Sequence, residues 1–161
     1  MIVSDTGPII AFARLGRLPL LHQVFDVLII PDAVFDELVQ SGPEQPGAPE
    51  ALQGDWIQRR SVTDQEAVRQ LPARLHAGER EAIVLAHEYG MQILIDEQRG
   101  RSAARGRGLE IIGSLRVLAE VRVLGIIPTV RPIVEELHAI RYWIDQSIIR
   151  DFLEEMGETD A

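Results

Sequence analysis

The sequence predicts an α/β fold, with a central, mostly parallel sheet flanked by helices. Three observations carry this. Short apolar runs (Ile2-Val3, Val27-Leu28-Ile29-Ile30, Ile93-Leu94-Ile95 and Ile111-Ile112) are each stopped by a polar residue, proline or glycine. Helical stretches separate them, which is the pattern of strand–helix–strand units with right-handed crossovers. The runs are short and have no polar alternation, as expected of strands covered on both faces. At 161 residues and 46% apolar composition the chain is the size of one domain, able to bury roughly 70% of the surface its unfolded form exposes.

The elements follow in order. Residues 1–4 read as a strand ending at Asp5, and Gly7-Pro8 opens a helix whose first turn tolerates the proline. Residues 18–25 form a second helical piece. Residues 27–30 form a strand stopped by Pro31, and 32–39 a helix. Residues 41–49 hold three prolines and two glycines and read as a loop. Residues 56–60 form a short strand, and 63–75 are weakly helical around Pro72. A firm helix over 79–89 follows Gly78 and ends at Gly90 as a C-cap. Residues 92–95 form a strand ending at Asp96, 98–107 a basic helix and 109–112 a strand. Gly113-Ser114 caps a helix to residue 124, with Ser114 in the N-cap role. Pro128 or Thr129 opens another helix, and 145–156 is the last.

Composition excludes several chemistries. There is no cysteine, hence no disulfide, thiolate metal site or cysteine nucleophile. All 16 basic residues are arginine, which removes a P-loop lysine and Schiff-base catalysis. The chain is expected to be soluble and cytoplasmic, with no leader and no membrane segment. His22, His76 and His138 show no ligand spacing, and His87-Glu88 lacks the second histidine of a zinc-protease helix. Glycines around Arg105-Gly106-Arg107-Gly108 lead into a strand instead of following one, unlike a dinucleotide fingerprint. Trp56, Tyr89, Tyr142 and Trp143 are too scattered for a stacking platform.

The net charge of -9 hides a pattern. Residues 1–97 balance to -8, residues 98–131 to +5, and residues 132–161 to -6. One basic segment lies between two acidic ones.

In parallel α/β sheets, sites form beyond the carboxyl ends of the strands. Asp5 and Asp96 each end an apolar run, so both carboxylates are expected at one edge. Glu79 begins its helix on the same stripe as Ala82, Ile83 and Ala86, and so projects from a buried face near that edge. Glu81 points more outward. Glu37 flanks the apolar face made by Val34, Phe35, Leu38 and Val39, and by itself reads as a solvated glutamate; Asp36 reads as a surface charge. Carboxylates gathered at one dry edge repel and raise each other's pKa. Hard divalent cations resolve that, and oxygen-only ligands favour Mg²⁺ or Mn²⁺. Such ions activate water against a phosphodiester. Arg99, Arg101, Arg105 and Arg107 follow Asp96 closely, and arginine forks suit the phosphates of a nucleic-acid backbone.

These residues resemble the PIN domain, the metal-dependent nuclease fold of VapC-type toxins. The carriers are Ile2-Val3-Ser4-Asp5-Thr6, Pro31-Asp32-Ala33-Val34-Phe35-Asp36-Glu37-Leu38, Gly78-Glu79-Arg80-Glu81-Ala82-Ile83 and Ile93-Leu94-Ile95-Asp96-Glu97. The run Asp96-Glu97-Gln98-Arg99-Gly100-Arg101, continued by Gly113-Ser114-Leu115, is closer to a prokaryotic PIN-like subgroup. The resemblance implies a PIN-like three-layer fold over residues 1–125, with 126–161 a C-terminal helical extension packed on the same domain. It implies Asp5, Glu37, Glu79 and Asp96 as the acidic catalytic set, with Asp5, Asp96 and Glu79 holding metal and Glu81 or Glu97 as substitutes. It further implies RNA as substrate, a small antitoxin as partner and a homodimer. Ile140, Trp143, Ile144, Ile148, Ile149, Phe152 and Leu153 form an apolar stripe in the extension, read as core or, alternatively, as a dimer or partner contact. Two other functions stay open: a catalytically inactive PIN-like module that binds RNA or a small protein, and a phosphoacceptor domain using Asp5 or Asp96. The absent lysine argues against the last.

Overall fold

Five short strands pair side by side, and their order explains where the chemistry gathers. The computed structural model describes residues 1–142 and 144–159. Among them, β1 (Ile2–Ser4), β2 (Leu28–Ile30), β3 (Ile57–Arg59), β4 (Ile93–Leu94) and β5 (Ile111–Ile112) form one sheet in the order β3-β2-β1-β4-β5. Every pairing is parallel. The chain builds outward from β1 to β2 and β3, then returns to add β4 and β5 on the other side. The direction of winding therefore reverses between β1 and β4, which is where open α/β sheets leave a crevice.

Alternation along each strand divides the core in two. Ile2, Leu28, Ile30 and Leu94 face one side, and Val3, Ile29, Ile93 and Ile95 the other. On the first side α1 (Thr6–Arg14) contributes Phe12, α2 (Pro19–Val24) Leu21, and α3 (Asp32–Val39) Val34 and Leu38. On the second, α5 (Gln65–Gln70) lays Val68 against the cluster, α6 (Ala77–Tyr89) supplies Ile83 and Leu85, and α7 (Gln98–Gly106) supplies Ala104. Phe12 is fully buried, so truncating it to alanine would cost about 3–5 kcal/mol.

The C-terminal helices join the first core. α8 (Ser114–Val123) buries Val117 and Leu118, and α9 (Arg131–Ala139) buries Ile133, Val134 and Leu137. In α10 (Gln146–Glu155), Ile149, Phe152 and Leu153 pack against it, as does Ile140 before that helix. Ile148, from the same apolar stripe, is 49% exposed. Trp143 lies outside the described residues. Among the described residues, no helix is long and apolar enough to cross a membrane.

One element departs from the expectation. The proline-rich loop expected over 41–49 gives way at its end to a helix, α4 (Ala48–Gln53). Pro49 sits in its first turn, where the missing N–H has no intrahelical partner to lose. Gly47, with φ 87°, supplies the left-handed entry.

Candidate functional site

Sheet register brings the first and fourth acids together. Ser4 pairs with Leu94 across β1 and β4, and the Asp5 N–H donates to the Leu94 carbonyl at 3.0 Å. Asp5 and Asp96 thus emerge from adjacent strands at the switch point. Both line a cavity of about 370 Å³.

Asp5 is buried, and burial is the largest cause pushing its carboxyl up to about 7. The Thr6 backbone N–H works against this, while the charges of Glu79, Glu37 and Glu97 add to it. Glu79 stands in the first turn of α6, 3% exposed. Arg99 reaches it at 3.0 Å and also reaches Glu97 at 2.7 Å. Glu97 is exposed yet its carboxyl is raised, first by burial of part of the group and then by Glu79. Glu37, which alone reads as a solvated glutamate, instead faces the cavity. Its carboxylate lies so close to the first turn of α6 that a Cβ on Gly78 would stand 2.5 Å from Glu37 Oε1. Only glycine admits that approach.

Asp96 is held from two directions. Its Oδ1 accepts the Ser114 N–H at 2.7 Å, and its Oδ2 accepts the Ser114 hydroxyl at 2.5 Å. The Tyr142 hydroxyl also donates to Oδ2. This corrects the N-cap role expected of Ser114. Gly113 is the N-cap of α8 and Ser114 its first residue, so the orphan N–H of the helix start is satisfied by Asp96. Burial, then the Asp96 charge, keep the Tyr142 hydroxyl well above its ordinary pKa, so it remains a donor.

The remaining expected residues separate. Glu81 turns to the start of α3, accepting the Ala33 N–H at 3.3 Å. Arg101 donates to the Ile95 carbonyl at 3.2 Å. Arg101 and Arg105 line a second, smaller cavity that shares Asp96 with the first. Arg107 is the C-cap of α7, about one helix length, roughly 14 Å, from Gln98. His76, expected to have no ligand spacing, in fact precedes Glu79 by one helical turn. One ligand atom each from His76, Glu79 and Glu97 lie within 4.8 Å of one another. His22, by contrast, stacks on Trp56 with ring centroids 4.6 Å apart.

The family model DUF3368, described as PIN domain, matches residues 1–158. The chain belongs to the PIN domain family. A solved structure with a similar fold is that of a PilT N-terminus domain protein, SSO1118, from the hyperthermophilic archaeon Sulfolobus solfataricus P2. It is 16% identical with a TM-score of 0.56, over 74% of this chain and 91% of that one. No curated protein matches the chain.

PIN domains generally use divalent metals, and the residues of this PIN domain fit one. The donors facing the cavity are mainly carboxylate oxygens, and Asp5 carries a raised pKa that a cation would relieve. Thr6 Oγ1, buried with no hydrogen-bond partner among the described residues, belongs to a residue lining the same cavity. Sequence reasoning missed Ser114 and Tyr142 as partners of Asp96. An exposed-looking serine after a glycine carries no sign of a carboxylate partner eighteen residues back. Tyr142 reaches Asp96 only through the packing of α9.

Proposed function

We propose that this PIN domain is a Mg²⁺- or Mn²⁺-dependent endoribonuclease, acting as the toxin of a toxin–antitoxin pair. The observation that carries the reading is Asp5: a buried carboxyl raised to about 7, crowded by Glu79, Glu37 and Glu97, at the switch point of the sheet. Asp5, Glu79 and Asp96 would hold the metal, with Glu97 or His76 at its outer side. A bound ion would supply Lewis acidity for phosphodiester hydrolysis there. Glu37, which faces the same cavity, would orient the attacking water and accept its proton. Ser114 and Tyr142 fix the Asp96 carboxylate, so that it needs no reorganisation when substrate arrives. Arg99 restrains Glu79 and Glu97. Arg105, which lines the second cavity, would take a backbone phosphate there. A small antitoxin, a homodimer and a cytoplasmic location accompany this reading by family likeness.

The test is cleavage of an end-labelled single-stranded RNA in Mn²⁺ by the wild type, Asp5→Asn and Asp96→Asn. Products from the wild type alone, abolished by EDTA, are expected. Unchanged cleavage by either variant contradicts the assignment.

A second reading has one observation behind it. Arg99 already bridges Glu79 and Glu97 and offsets part of their charge without any metal. That favours an inactive module that binds RNA or a small protein. RNA binding that ignores EDTA and yields no product would support it.

A further inference from the structure

Tyr142 is delivered to Asp96 by a strained neighbour. Among the described residues, Arg141 is the one non-glycine residue with a left-handed backbone, at φ 61°. It ends α9 in a Schellman turn: the Arg141 N–H donates to the His138 carbonyl at 3.0 Å, and the Tyr142 N–H to the Leu137 carbonyl at 3.0 Å. Glycine is the usual occupant of this position, because an L side chain is disfavoured there. Gly90 occupies the equivalent place after α6, also at φ 61°. Nothing in the local backbone favours arginine at 141.

Its side chain is the remaining explanation. Arg141 is exposed and lines the carboxylate cavity, and its side chain makes no hydrogen bond or ion pair among the described residues. The arginines singled out from the sequence for phosphate binding are less available there: Arg99 is committed to Glu79 and Glu97, and Arg101 to the Ile95 carbonyl. A guanidinium lining an acidic pocket, without pairing to its acids, keeps the donors of its planar fork free for another partner. That fork matches a phosphodiester oxygen pair.

We propose that Arg141 binds a phosphate of the RNA strand at the mouth of the carboxylate cavity, and that the left-handed turn at α9 holds it there. The proposal rests on the ribonuclease reading and adds a substrate-binding residue to it. Arg141 offsets the charge repulsion between the acidic rim and the incoming backbone, while Tyr142, next in the chain, fixes Asp96. One turn thus serves substrate and site together.

The experiment measures unfolding midpoint, KM and kcat for a single-stranded RNA oligonucleotide in Mn²⁺, over a series of salt concentrations. The proteins are full-length wild type, Arg141→Gly, Arg141→Asn and Arg141→Lys. Arg141→Gly is expected to hold its midpoint or raise it by up to about 4 °C, since glycine relieves the backbone. Its KM is expected to rise about tenfold or more, as a charge-assisted contact is lost. The slope of log affinity against log salt should flatten by about 0.7, one phosphate contact. Arg141→Lys should recover the slope but only part of KM. Unchanged KM and slope in Arg141→Gly, with an active wild type, overturn this proposal alone. A fall in midpoint in both Arg141→Gly and Arg141→Asn overturns it too, because the arginine is then structural. A wild type that neither binds nor cleaves removes the ribonuclease reading and this proposal with it.

Discussion

The Tyr142 hydroxyl donates to the carboxylate of Asp96, tying the turn after α9 to the end of β4 across forty-six positions of chain. Gly7 leaves room for the contact, since a Cβ there would stand 3.1 Å from the tyrosine oxygen and crowd it. The C-terminal segment is therefore part of the site's construction.

Removing that donor has a measurable cost. Ser114 still holds Asp96 in Tyr142→Phe, so the loss is one charge-assisted hydrogen bond in a partly buried setting, about 1–2 kcal/mol. For a chain of this size that lowers the unfolding midpoint by roughly 2–8 °C. Calorimetry checks it. An unchanged midpoint would mean that the contact contributes nothing to the fold.

Asp5 predicts a pH dependence of stability. Its carboxyl is raised from 3.8 to about 7 in the folded protein. Between those values the folded state binds the extra proton, so stability falls as pH rises through the window. Asp5→Asn has no such term. Without metal it should be more stable than wild type at pH 8, by about 4 kcal/mol at most, and nearly equal to it at pH 4. Urea unfolding at the two pH values decides. An equal difference at both would show that Asp5 is ionised normally.

Arg99 and Glu79 form the most buried ion pair at the site, with Glu79 3% and Arg99 32% exposed. Arg99→Ala in chelator is expected to lower the unfolding midpoint, because the buried Glu79 carboxylate loses its partner. Mn²⁺ should then stabilise the variant more than the wild type, because the ion no longer competes with the guanidinium for Glu79. A titration of midpoint against Mn²⁺ gives both numbers. A larger response from the wild type would contradict the competition.

The strands were legible as short apolar runs between turn residues, and the two aspartates because the first and fourth strands each end at one; parallel topology alone brings such ends to one edge. Glu79 was legible from its place on a buried helical stripe. Glu37 was not, because its inward turn depends on the absence of a side chain at Gly78, on another helix. The proline-dense stretch concealed α4, since Pro49 breaks a helix only when it falls past the first turn. Ser114, Tyr142 and His76 owe their roles to contacts between distant segments, which no local periodicity encodes. Proximity to Asp96 in the sequence suits Arg99 to phosphate, whereas in the fold the neighbouring acids Glu79 and Glu97 claim it.

The most direct test of the central claim, a divalent-metal site built on Asp5, is thermal unfolding with and without Mn²⁺ for wild type and Asp5→Asn. A ligand at a hundredfold excess over its dissociation constant stabilises the folded state by about 2.7 kcal/mol, or roughly 5–11 °C here. The account predicts that rise in the wild type, none in Asp5→Asn, and a higher metal-free midpoint for the variant at pH 8. A wild-type midpoint that ignores Mn²⁺, or an equal rise in both proteins, would contradict it.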